Sequence, residues 1–132
     1  MARLLIIDKC LNKRLATELR YRGCNALGAD HMKLPVLDDA LLEAIAAHDP
    51  NAVLVTGDDD MPAEHRLTLE RTKITLAIID PVVPLPFTQS QWPREVVHRW
   101  AHRIREQTPG STRRYGTTNL PWTDRKHRPR LP

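Results

Sequence analysis

Three short aliphatic runs, each closed by an aspartate, set the frame of this sequence. Arg3 to Asp8 reads RLLIID, Val53 to Asp58 reads VLVTGD, and Ile74 to Asp80 reads ITLAIID. Continuous apolar runs of this length suit strands covered on both faces, as in a parallel sheet. The stretches between them have helical spacing. Leu11, Leu15 and Leu19 recur every four residues, with Lys13, Arg14, Arg20 and Arg22 among them and Gly23 at the close. A second helix opens at Asp38 or Asp39 and runs to about His48, with Leu41, Leu42 and Ile45 as its core face. Pro62 fits the first turn of a third, over 62–72. Cys24 to Ala29 is weakly apolar and reads as one more short strand. The order is then βαβαβαβ, which predicts an α/β domain around a parallel sheet of about four strands with right-handed crossovers.

Beyond Ile79 the pattern changes. Pro81 to Pro86 reads as an extended connector. A last helix over 92–107 carries Val96, Val97, Trp100, Ala101 and Ile104 on one stripe and His98, Arg99, His102 and Arg103 off it. His98 and His102 have the spacing of a helical metal pair, but no third ligand accompanies them, and a solvated or RNA-facing basic surface is the better reading. Residues 109–132 hold six basic residues against Asp124 alone, a net of +5, whereas the 14 basic and 15 acidic residues of 1–108 leave −1. This divides the 132-residue chain into a domain over 1–108 and a basic, Pro- and Arg-rich tail over 109–132. Such a tail is expected to contribute little to the core and to attract RNA or an acidic partner. The competing expectation is that Tyr115, Leu120 and Trp122 dock it on the domain.

No apolar run approaches the ~20 residues that a membrane helix needs. Cys10 and Cys24 are the only cysteines, and both are expected to be free, packed thiols in a reducing, cytoplasmic setting.

The chemistry concentrates in VLVTGDDDM, Val53 to Met61. Asp58, Asp59 and Asp60 repel one another, and a divalent cation relieves that repulsion because hard cations take carboxylate oxygens. In an extended segment Asp58 and Asp60 point one way and Asp59 the other, which makes Asp58 and Asp60 the functional pair. A solvated acidic turn has the same composition. Asp8 is a second carboxylate at a strand's C-terminal end, where it also suits a turn or a cap. Asp38 or Asp39 suits a helix cap equally well.

Asp8 after the first strand, Asp38 in LDDALLEAI, and VTGDDDM after a later strand together resemble the PIN-like nucleases, in particular the compact PIN-like family related to VapC ribonuclease toxins. The match spans about residues 3–80. The resemblance implies a three-layer α/β/α domain in which Asp8, Asp38, Asp58 and Asp60 bind Mg²⁺ or Mn²⁺. Thr56 matches the hydroxyl residue of the family's last motif. It also implies a metal-dependent endoribonuclease, the toxin of a type II toxin–antitoxin pair, with a cognate antitoxin protein and a homodimer as partners. This chain departs from the family at Lys9 and Cys10, where an acid and an amide are common, and at Met61, where an aromatic is common.

On that reading the substrate backbone is held by basic residues, with Arg99, Arg103, Arg113 and Arg114 as RNA-binding candidates. Two other functions compete. One is a different Mg²⁺-dependent phosphoryl-transfer enzyme: Asp58-x-Asp60 after a strand resembles the Toprim pattern, although that family places a Glu where this chain has Asp8. The other is a catalytically silent PIN-like module that binds RNA or protein.

Overall fold

The computed structural model describes residues 3–125. Lys126, Arg128 and Arg130 of the expected basic tail lie outside the described residues. The chain runs β1 (Leu5–Ile7), α1 (Arg14–Tyr21), β2 (Ala26–Gly28), α2 (Asp38–His48), β3 (Val53–Thr56), α3 (Met61–Glu64), α4 (Arg66–Thr72), β4 (Thr75–Ile79), α5 (Gln91–Arg105), β5 (Thr112–Tyr115) and β6 (Asn119–Pro121). It is an α/β fold, as expected. The sheet has six strands in the order β2-β1-β3-β4-β5-β6, the first five parallel and β6 antiparallel to β5. The expected sheet of about four parallel strands is therefore corrected to a mixed one of six.

Alternation along the strands divides the core. Leu5, Ile7, Val53, Val55, Ala77 and Ile79 point to one face, where they meet Leu15 and Leu19 of α1 and Val96, Val97, Ala101 and Ile104 of α5. Ile6, Leu54, Leu76 and Ile78 point to the other, where Leu41, Leu42 and Ile45 of α2 cover them. This is why β1, β3 and β4 read as unbroken apolar runs: both faces of each strand leave water.

The largest correction concerns residues 109–125. They were expected to add few core contacts. Instead β5 lies along β4 with Tyr115 opposite Ile79, and Tyr115 is 1% exposed. The Tyr115 hydroxyl donates to Gln107 Oε1 at 2.9 Å, and Gln107 Nε2 donates to the Leu76 carbonyl at 2.9 Å. Trp122 packs against the α2 side of the core, whereas Leu120 stays exposed. The docking expectation thus holds for Tyr115 and Trp122 and not for Leu120. Gly116 lets β5 end close against β4, since a Cβ there would come 2.8 Å from Cβ of Asp80.

Two smaller differences have local causes. The helix expected over 62–72 is broken at His65, which leaves the short α3 and then α4. Both cysteines are free, but only Cys24 is buried. Cys10 is exposed at the mouth of the site described next.

Candidate functional site

The strand order turns back at β1. β2 lies on one side of it and β3 on the other, so the β1–β3 boundary is a topological switch point. Ligands of open α/β sheets bind in the crevice beyond the carboxyl ends of the strands at such a point. Asp8 follows β1 there and Thr56 ends β3.

A chain of hydrogen bonds joins the two strand ends. The Thr56 hydroxyl, fully buried, donates to Asp8 Oδ2 at 2.6 Å and accepts the Asp58 backbone N–H at 3.1 Å. The Lys9 N–H donates to Asp8 Oδ1 at 2.7 Å. The Asp60 N–H donates to Asp58 Oδ1 at 3.0 Å, and the Met61 N–H reaches the Asp58 carbonyl at 3.3 Å as α3 begins. Residues 58–60 are therefore a turn into a helix rather than an extended segment, with Asp60 itself in a helical conformation. Asp59 takes a partner of its own in this turn.

That partner is Arg114. Its Nε donates to Asp59 Oδ1 at 2.8 Å, and its Nη2 reaches both Asp59 Oδ1 and the Thr123 carbonyl. The guanidinium stands 5.8 Å from the centre of the Trp122 ring, and the Trp122 indole N–H donates to the Asp59 carbonyl at 3.2 Å. Arg114 is 5% exposed. The RNA-facing role expected for it is corrected: its charge is spent inside the protein on the acidic turn. Arg113 turns to Asn119, donating to Oδ1 at 2.7 Å. Arg99 lies on the exposed face of α5, paired with Glu95 at 3.0 Å and 5.9 Å from the centre of the Trp92 ring, and Arg103 is also exposed. His98 is drawn into a tie with Arg22 and Glu18. Arg94 beside Glu18 holds that carboxyl below its usual range, with His98 adding to the effect.

Asp38 is occupied elsewhere. Leu37 takes the cap position of α2, and Asp38 and Asp39 lie in the first turn. His65, at the break between α3 and α4, faces both: Nε2 is 3.2 Å from Asp38 Oδ2 and Nδ1 is 2.9 Å from Asp39 Oδ1. The Thr68 hydroxyl donates to Asp39 Oδ1 at 2.6 Å and, with His65, holds that carboxyl below its usual range. Among the described residues no three His, Cys, Asp or Glu side chains gather closely enough to hold a metal together. The donors present therefore do not form a cage of four carboxylates. Asp8 and Asp58, linked through Thr56, suit a largely hydrated Mg²⁺, which takes only one or two protein carboxylates.

Sequence reasoning gave no site role to His65 or Cys10 and gave Arg114 a different one. The Cys10 sulfur is 3.6 Å from Asp8 Oδ2, 3.7 Å from Thr56 Oγ1, and accepts the Gly57 N–H at 3.4 Å. Burial raises its pKa, the Gly57 N–H opposes the rise, and the Asp8 charge adds to it. The signal for Arg114 was the alternation in Thr112–Tyr115, TRRY, where an Arg shares a strand with an inward Tyr. Among the described residues no helix is long and apolar enough to cross a membrane. No protein-family model, curated protein or solved structure matches this chain.

Proposed function

We propose that this chain is a PIN-like, metal-dependent endoribonuclease with its reactive centre at Asp8, Thr56 and Asp58. One observation carries the reading: the Thr56 hydroxyl joins the Asp8 carboxylate to the Asp58 backbone at the switch point of the sheet. Helices packed against both faces of the sheet are compatible with a three-layer α/β/α PIN-like domain.

In this reading Asp8 and Asp58 would hold the metal, with Asp60 as a further carboxylate of the same turn. A Mg²⁺ or Mn²⁺ bound there supplies an activated water and offsets charge on the leaving oxygen of a phosphodiester. The protein's part is positional. By donating to the Asp8 carboxylate and accepting the Asp58 backbone N–H, Thr56 fixes one anion and the main chain that carries the other before any ligand arrives. Arg114 neutralises Asp59 and keeps a further anion from crowding the pair. Phosphates of RNA meet the exposed cations of α5, Arg99 and Arg103. Asp38 joins the centre only if it leaves His65.

The test is RNA cleavage by purified protein with Mg²⁺, Mn²⁺ or EDTA, beside Asp8→Asn and Asp58→Asn. Cleavage by the wild type with metal, none in EDTA and none by either variant is the expected pattern. Full activity in both variants at saturating Mg²⁺ rejects the assignment. Within the same reading the enzyme is a cytoplasmic toxin and a homodimer restrained by an antitoxin, so expression alone should slow growth. Harmless expression of an active enzyme favours a housekeeping nuclease.

The hold of His65 on Asp38 and Asp39 favours a second reading, a catalytically silent module that keeps the fold. Calorimetric titration with Mg²⁺ and Mn²⁺ separates the two, because the silent module takes up neither.

A further inference from the structure

A cavity of about 330 Å³ opens beside Asp8, on the side away from Asp58, between the start of α1 and the end of β2. That volume is at the lower end of ligand cavities, about 300–1,000 Å³. Its charged walls are Lys9, Lys13, Arg20 and His31, set against Asp8 and Asp30. Three permanent cations thus face two carboxylates, and Asp8 belongs to both the cavity and the strand-end centre.

The cations are held in different ways. Arg20 is oriented from behind, donating to the Ala26 carbonyl at 2.8 Å and to Thr17 Oγ1 at 3.0 Å. Lys9 Nζ rests on the Leu34 carbonyl at 3.2 Å. Lys13 and His31 are exposed, and their side chains make no hydrogen bond or ion pair among the described residues. An ammonium and an imidazole at the mouth of a small cavity, with a fixed guanidinium on its wall, are complementary to a phosphate carrying a flat, uncharged group. The cavity is too small for a folded RNA element and is open to a single nucleotide.

We infer that this cavity binds the ribonucleotide adjoining the scissile phosphate, with Lys13 and Arg20 on its phosphate and His31 over its sugar or base. The inference rests on the nuclease reading for the word scissile. The binding itself does not require cleavage. A single strand then enters at α1, crosses Asp8 and meets the Thr56–Asp58 end of β3, so the cavity sets the direction of the bound strand.

The experiment titrates a 5′-phosphorylated RNA trinucleotide into the full-length protein in EDTA. It follows the His31 ring resonances by NMR and affinity by calorimetry, for wild type, Lys13→Glu and Lys13→Arg. Binding should move the His31 signals. Lys13→Glu should weaken affinity by about tenfold and flatten the salt dependence by about one phosphate contact, while Lys13→Arg should bind nearly as the wild type does. No binding by the wild type, binding that leaves His31 unmoved, or an affinity that Lys13→Glu leaves unchanged would each overturn the proposal. Cleavage of a longer RNA in Mg²⁺ is read separately. Its absence beside intact trinucleotide binding counts against the nuclease reading alone.

Discussion

Two sets of aspartates in this molecule are held by opposite kinds of partner. Asp8 and Asp58, at the ends of β1 and β3, receive hydrogen bonds from neutral groups: the Thr56 hydroxyl and the Lys9 N–H on Asp8, and the Asp60 N–H on Asp58. Asp59 and Asp80 are held by guanidinium groups, from Arg114 and Arg125; Asp38 and Asp39 are held by His65, with the neutral Thr68 hydroxyl also on Asp39. A neutral donor fixes a carboxylate and leaves its charge in place. A guanidinium fixes it and cancels the charge. The first set therefore keeps its anionic field uncancelled, and the second is part of the fold's internal wiring. Within the acidic run, Asp58 belongs to the first set and Asp59 to the second.

The sharpest break of this comparison removes the wiring outright. Deleting residues 109–132 takes away β5, β6, Tyr115 and the Arg114 clamp together. Much of a stability of ~5–15 kcal/mol should go with them, and the truncated chain should show no cooperative thermal melt. A truncated protein that melts like the full chain, with only its RNA salt dependence flattened, would show that the segment is an electrostatic appendage after all.

A finer cut sets one member of each class against the other. Arg114→Met leaves Asp59 beside a buried apolar side chain and should cost about 3 kcal/mol in urea unfolding, since half of a buried ion pair is worse than none. Adding Asp59→Asn should recover part of that loss. Thr56→Val removes the hydroxyl that joins the Asp8 carboxylate to the Asp58 backbone and should cost about 1–2 kcal/mol. Equal losses at the two sites would dissolve the distinction between them.

The smallest effect is a pH dependence on the wired side. Burial pushes the Tyr115 phenol up to about 12 from its ordinary 10.0. The folded state thus holds that proton more tightly than the unfolded state. The resulting stability is fully present below about pH 10 and is lost as pH rises from there through about 12. Tyr115→Phe should flatten this alkaline limb of the melting curve, and an unchanged limb would assign it to other groups.

How much of this was legible beforehand follows from which surfaces the strands bury. β1, β3 and β4 are covered on both faces, so their sequences had to be continuous aliphatic runs, and the aspartates that close them were visible with them. β5 reads TRRY because its inward residues are an Arg paired with an Asp and a Tyr bonded to a Gln, an interior built from polar partners that no apolar count registers. β6 contains Pro121 and lies at the edge of the sheet, where its missing N–H is tolerated. Asp8 and Asp58 could be singled out from their place at strand ends, and Thr56 only through the resemblance to a family motif. The capture of Asp38 by His65 could not, because it depends on a helix break that leaves no mark in the hydrophobic spacing.

The Arg114 clamp has a consequence for the order in which the molecule is made. Arg114 follows Asp59 by 55 positions, and the Trp122 that stacks beside it follows by 63. A chain leaving the ribosome N-terminus first, at ~5–20 residues per second, exposes Asp8, Thr56 and all three turn aspartates seconds before the residues that lock the turn. During that interval the acids lie on an incomplete sheet whose β4 edge is open. β5 and β6 are thus late in synthesis as well as at the edge of the sheet: until they dock, Asp59 lacks the guanidinium that neutralises it.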